Sequence, residues 1–245
     1  MYINDVHILC YFFIGLLGLA VGQFMDWANI RLQKHKPIIC KEFFKEYLSN
    51  IKLNCASMYI TAIFYVALLY FFGLNIKLIE YLILTPMFMS VFIIDYKEQI
   101  IPNRLTLTIF EVGVFFAFIE GINSINVFAD KALGMLAGAG IFLAITCIGG
   151  LIAGKEAMGF GDVKLMGDLG IIFGLSSTLI ISVLAFLIAA VISVALIVSK
   201  KKKTDEYIPF GPFIITAVFL VMIVPHNIML FALLKILTLG TYNIA

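Results

Sequence analysis

The chain is expected to be all-α, a polytopic membrane helix bundle of about eight transmembrane segments, one of them short. Three observations lead there: 62% of the 245 residues are apolar, only 13% are charged, and the mean hydropathy is +1.08. A soluble domain averages about 25% charged and about 45–50% apolar residues. A water-soluble enzyme, a disordered regulator and a nucleic-acid binder all fit that composition poorly, so no nucleic-acid partner is expected. The net charge of +2 is too small to demand a polyanionic partner, and the placement of the charges matters more than their sum.

A hydrocarbon core about 30 Å thick takes about 20 helical residues. Runs of that kind cover 7–25, 57–74, 76–94, 104–122, 131–153, 178–199 and 208–225, with a shorter one near 163–175. The first run lacks a basic leader and a small-residue cleavage site, and further spans follow it, so it reads as a first transmembrane helix. From Leu165 to Val198 the chain runs 34 residues with a single charge, too long for one span and too short for two full ones. Gly170, Gly174, Ser176 and Ser177 supply a break. The tail from His226 to Gly240 reads as an interfacial or outer segment.

Basic residues concentrate in cytoplasmic loops. Arg31, Lys34, Lys36, Lys41, Lys45 and Lys52 follow the first span, and a second cluster sits at Lys200 to Lys203. With the N-terminus outside, both clusters fall inside only if 163–199 crosses twice. The loops 95–103 and 154–164 then also face the cytoplasm.

That topology puts Asp95 and Asp162 on one side, each at a membrane boundary. Two carboxyls held close together cannot both ionise, so one serves as base and the other as acid. The base takes a proton from a bound water while the acid protonates a peptide carbonyl, which cuts a peptide bond without metal or covalent intermediate. Gly159 and Gly161 flank Phe160 just before Asp162, where glycine permits positive φ and close approach of another backbone such as a substrate strand. Pro102, seven residues after Asp95, is suited to start the fourth helix. Lys164 sets a cation two residues past Asp162, or else snorkels to the headgroups. A lone Gly-x-Gly-Asp is weak, and aspartates at span ends are commonplace; the signal lies in the combination with Ile101-Pro102 and the multi-span frame.

At these residues the chain resembles the type IV prepilin peptidases, membrane aspartic peptidases of the Gly-x-Gly-Asp kind. Gly22-Gln-Phe-Met-Asp-Trp-Ala-Asn-Ile-Arg31-Leu is similar to the family's first-span exit, and Asp95 with Ile101-Pro102-Asn103 to its first aspartate motif. Gly154-Lys-Glu156-Ala-Met-Gly159-Phe-Gly161-Asp162-Val-Lys164 resembles the second, and Ile208-Pro-Phe-Gly-Pro212 a C-terminal segment. The resemblance implies one membrane-embedded peptidase domain over 1–245, with Asp95 and Asp162 as the catalytic pair and Gly159, Gly161, Lys164, Pro102 and Glu156 shaping the site. It implies prepilins or pseudopilins as substrates, cut after a Gly on the cytoplasmic side of the plasma (inner) membrane, with the lipid bilayer as surroundings and no cofactor for proteolysis.

The cytoplasmic loop 27–56 corresponds to a methyltransferase and zinc region that is degenerate here. Where many members carry two CxxC pairs, this loop offers only Cys40 and Cys55, which argues against a structural zinc. Gln23 and Asp26 replace the usual Ser and Asn, so N-methylation from S-adenosylmethionine is left open. Cys10 and Cys147 form no CxxC pair either, and His7, His35 and His226 lack metal-ligand spacing.

Other carboxyls within the spans are candidate functional groups because ionisable residues there are costly. Six helical steps carry Asp168 about 120° around and about 9 Å deeper than Asp162, a poor second member of a dyad. Glu80 lies in the third span and Glu120 in the fourth, and Glu111 is expected to face the bundle or pair with a neighbouring helix. Gly134 and Gly138 have the small-xxx-small spacing of close helix packing. The rival readings are a small transporter, a non-catalytic pilus or secretion assembly protein, and a presenilin-like protease. Both motif aspartates lie at one level, both are present, and Pro-Phe-Gly-Pro stands where a presenilin-like chain has Pro-Ala-Leu, which ranks all three below prepilin processing.

Overall fold

The computed structural model describes residues 2–4, 6–33, 56–122, 124–153, 158–199 and 208–238. The chain folds as two compact units, Met1–Ile94 and Asp95–Ala245. Loop one from 34 to 55, including Cys40 and Cys55, lies outside the described residues, as do Glu156 and the Lys200 to Lys203 cluster.

The first unit opens with a two-residue hairpin, β1 (Tyr2–Ile3) and β2 (Val6–His7), in which Tyr2 pairs with His7 and Ile3 with Val6. Helices α1 (Ile8–Gln33) and α2 (Ala56–Phe72) then pack closely, since a Cβ on Gly18 or Gly22 would run into the backbone of Ala62 or Met58. The Ser57 hydroxyl donates to Asp26 across the same seam, 2.5 Å away. Helix α1 continues past the apolar run predicted to end at Met25, because Trp27, Ala28 and Leu32 remain buried and carry its inner face on. Hydropathy locates the apolar stretch of a helix and is blind to a polar extension with a buried stripe.

Helix α3 (Ile76–Glu98) carries Pro86 in its interior. Proline has no N–H, so the carbonyl of Leu82, four residues back, loses its helical donor. The buried Tyr65 of α2 supplies the replacement, its hydroxyl donating to the Leu82 carbonyl at 2.5 Å. Tyr65→Phe removes that donor with almost no change of shape and strands a carbonyl in an apolar interior. The expected cost is about 1–3 kcal/mol, read as a lower midpoint in detergent thermal melts; an unchanged midpoint would show that Pro86 needs no external donor.

Among the described residues, the second unit holds the end of α3 and the helices α4 (Asn103–Gly121), α5 (Ile125–Ala153), α6 (Phe160–Val198), α7 (Gly211–Ile223) and α8 (His226–Leu237). Although α6 spans 39 residues, Gly174 breaks it with φ 78 and ψ 176, in the left-handed half of the map where only glycine is at ease. The break is a reversal. A Cβ on Gly138 of α5 would meet both Met166, before the break, and Thr178, after it, while one on Gly134 would meet Gly170 and Leu175. The arm 160–173 therefore runs antiparallel to α5 and the arm after Gly174 runs parallel to it. This is the predicted break, resolved as a helical hairpin clasped by α5.

Among the described residues, four helices are long and apolar enough to cross a membrane by length and composition: Ile8–Gln33, Ile76–Glu98, Ile125–Leu151 and Phe160–Val198; three shorter apolar helices accompany them. The architecture is that of an all-α multi-pass membrane protein. The tail, expected to be interfacial or outer, forms α8, which docks Met229 and Leu233 on Ile180 of the returning arm. Glu120 pairs with the buried Lys131 of α5 at 2.6 Å, and Glu80 with Lys77 at 2.8 Å. Glu111 is exposed, contrary to the expectation that it faces the bundle or pairs, because its position on α4 lies off the face formed by Leu105, Ile109, Gly113 and Phe116.

Candidate active site

Asp95 stands in the last turn of α3, and the chain leaves that helix through Gln99, whose left-handed φ of 56 is rare for a non-glycine. Gln99 N–H still reaches the Asp95 carbonyl at 2.9 Å, closing the helix behind the aspartate. Pro102 follows as the N-cap of α4, starting that helix as expected, and its carbonyl accepts from Leu105 and Thr106.

Asp162 occupies the first turn of α6, where a carboxylate suits the positive end of the helix dipole. Gly159 is the N-cap, with φ −67 and ψ 140. That extended backbone needs no glycine, so the positive φ that glycine permits is not used at Gly159. Gly161 earns its place by closeness, since a Cβ there would sit 3.1 Å from the Ile101 side chain. Nearby, Lys164 Nζ donates to Asn103 Oδ1 at 2.8 Å and lies over the Phe160 ring. The two aspartate motifs thus meet through Gly161 with Ile101 and through Lys164 with Asn103, which brings the start of α6 against the start of α4.

Both carboxyls are buried, Asp95 with 4% and Asp162 with 3% of its surface exposed, and the charge of Asp95 reaches Asp162. The Gly211 N–H, at the start of α7, donates to Asp95 Oδ2 at 2.9 Å. Asp162 is held against the Gly159 backbone, and its Oδ1 has no hydrogen-bond partner. A buried carboxyl oxygen without a partner is costly and is a natural place for a water or a substrate group. Asp168 is also buried with an unpartnered oxygen, farther along the same arm.

Of the residues singled out in the sequence, Asp95, Pro102, Gly159, Gly161, Asp162 and Lys164 gather in the second unit, and Glu156 lies outside the described residues. Asn103 and Gly211 belong to the motifs, and the sequence alone assigns neither a role. The signal at Gly211 was a glycine set between Pro209 and Pro212, a pattern that marks a special backbone position. Among the described residues no three His, Cys, Asp or Glu side chains gather to hold a metal ion.

The Lys164–Asn103 bond is exposed, so its contribution lies at the low end for a hydrogen bond to a charged group. Lys164→Met is expected to cost about 1 kcal/mol of stability or less, read in thermal melts, and to lower turnover only a few-fold. A loss as deep as that of an aspartate variant would give Lys164 a direct part in the chemistry.

Fold and site together define a class, a multi-pass helical membrane protein with paired buried aspartates from two helices. Residues 82–194, which hold both aspartates, match the type IV leader peptidase family. The chain is 31% identical over 136 residues to a prepilin leader peptidase/N-methyltransferase of Aeromonas hydrophila, a match covering 56% of this chain and 46% of the relative. Proteins of the same name from Stutzerimonas stutzeri (28% over 203 residues, 80% of this chain and 66% of the relative) and Legionella pneumophila (31% over 146 residues, 58% and 49%) are also similar. The match with the Aeromonas protein spans about half of that relative's length. No solved structure matches the chain.

Proposed function

We propose that this protein is a membrane aspartic endopeptidase that removes the leader of type IV prepilins or pseudopilins. The observation that carries the reading is the pair of buried aspartates, one from the end of α3 and one from the start of α6, close enough to interact. The matched family segment and the names of the similar proteins support the substrate class. In this reaction one carboxylate takes a proton from a bound water, whose oxygen attacks the scissile carbonyl carbon. The other carboxyl, protonated, gives its proton to the carbonyl oxygen. As the resulting diol collapses, one hydroxyl returns its proton to the second carboxylate, the C–N bond breaks, and the leaving nitrogen takes the proton that the first carboxylate had drawn from the water. The partnerless Asp162 Oδ1 suits contact with the water or the carbonyl, and Asp95, anchored through its other oxygen, completes the pair.

The substrate's apolar helix would lie in the bilayer of the plasma (inner) membrane, with the basic leader and the cut at the cytoplasmic face. That orientation rests on the Lys and Arg of loop one and of Lys200 to Lys203 being inside. For N-methylation, S-adenosylmethionine would supply a methyl group for the new amino terminus. The exit of α1 has polar atoms to offer such a group: buried Asn29 keeps both side-chain amide atoms unpaired, and Gln23 keeps its donor unpaired. Hydrolysis makes no use of either.

The test is incubation of the purified full-length protein, in detergent or liposomes, with a purified prepilin, followed by mass spectrometry of the product. Cleavage after the leader glycine supports the reading, and a product heavier by one methyl group adds methylation. Failure to cut any pilin-like substrate would move the transporter and assembly readings ahead.

A further inference from the structure

The first turn of a helix has N–H groups with no helical acceptor. In α7 their fates can be followed one by one. Phe213 and Ile214 N–H both reach the Phe210 carbonyl, at 3.0 and 3.2 Å. Pro212 has none to give. The remaining one, on Gly211, goes to a side chain 116 residues earlier, the Oδ2 of Asp95. The approach is as close as a backbone allows, because a Cβ on Gly211 would lie 2.5 Å from that same oxygen. The neighbouring residue is held too: Phe210 packs its ring against Phe142 at 5.9 Å and Phe186 at 5.0 Å, from α5 and the returning arm of α6.

We propose that Gly211 is a positioning residue for the hydrolysis, its backbone N–H and bare Cα fixing the Asp95 carboxyl in the orientation that serves Asp162 and the water. The inference rests on the reading of Asp95 and Asp162 as the catalytic pair. A donor aimed at one carboxyl oxygen holds the side chain in a single rotamer and leaves the second oxygen for chemistry. Any side chain at 211 would push the carboxyl away, which explains why a glycine stands between two prolines that would otherwise stiffen the segment. Gly211 itself never meets the substrate, so its loss should act on turnover and leave substrate binding alone.

The experiment compares wild type, Gly211→Ala and Asp95→Asn in prepilin cleavage, normalised to folded protein, and follows amide hydrogen exchange of the 208–214 segment in wild type and Asp95→Ala. With two prolines in the segment, few amides contribute and the Gly211 signal stands out. The expected result is that Gly211→Ala lowers kcat by about 10- to 100-fold with KM within about twofold. Asp95→Ala, by freeing the amide, should speed exchange at Gly211 by about tenfold or more. A wild-type kcat in Gly211→Ala, a loss confined to KM, or unchanged Gly211 exchange in Asp95→Ala would overturn the inference. If Gly211→Ala does not fold, the exchange measurement decides alone. Should Asp95→Asn still cut at the wild-type rate, the catalytic pair itself falls and the positioning role with it; an inactive Asp95→Asn beside a fully active Gly211→Ala sinks only the latter.

Discussion

Asp162→Asn is expected to lower prepilin cleavage by about 10³-fold or more while the protein stays folded. Asparagine has the shape of aspartate, so the first turn of α6 and the Gly161 contact with Ile101 are kept, and the buried site exchanges a group that prefers water for a neutral one. Stability should therefore hold or rise slightly. The chemistry has no such latitude, because an amide neither takes the water's proton nor gives one to the carbonyl. Positioned acid–base groups each contribute about 10²–10⁴-fold, and here both steps draw on the pair. Asp95→Asn should fall equally far, its amide oxygen still accepting from Gly211. Residues that act as a unit are not additive, so the double variant should be no slower than either single one. Asp168→Asn is the control: buried on the same arm but about 9 Å farther along, it should retain turnover within a few-fold. Rates come from quantified product with melting curves on each variant; a single aspartate variant cutting at a tenth of the wild-type rate would refute the pair.

Gly170→Ala has the largest expected effect on the fold. Gly170 and Gly134 meet backbone to backbone, and a Cβ on either would enter the other's peptide group, with no flexible side chain available to yield. Adding one methyl forces α5 away from the outgoing arm of α6 and disturbs Gly138 against Met166 a turn further on. Overpacking of this kind costs about 1–3 kcal/mol, occasionally more, and the site for the methyl is main chain, so the upper end is expected. The readouts are the yield of monodisperse protein and its thermal midpoint. Since Asp162 rides on the same arm, cleavage per molecule should fall as well. Gly140→Ala, on the same helix with open space around it, is the matched substitution and should melt like the wild type. Equal melting of the two variants would mean that the α5–α6 seam tolerates a wider spacing than its geometry implies.

Much of this was legible in one dimension. Apolar runs announced the helices, and a run too long for one span, with Gly170 and Gly174 inside it, announced the reversal. Both aspartates stood out through Ile101-Pro102 and Gly-x-Gly-Asp. These signals are local: each depends on residues within a turn or two, where spacing translates directly into geometry. What escaped was of another kind. Leu82 gains its donor from Tyr65 because Pro86 withholds one, Lys131 answers Glu120 from the next helix, and α8 folds back on Ile180. Gly211 reaches Asp95 through a backbone N–H, a group every residue but proline carries. The sequence by itself determined the membrane class, the helices and the break, and singled out Asp95 and Asp162 as the two carboxyls to consider together. Only the tertiary structure decided which backbone groups those carboxyls and carbonyls meet, because a hydrogen bond between main chain and a distant side chain leaves no composition or period to read.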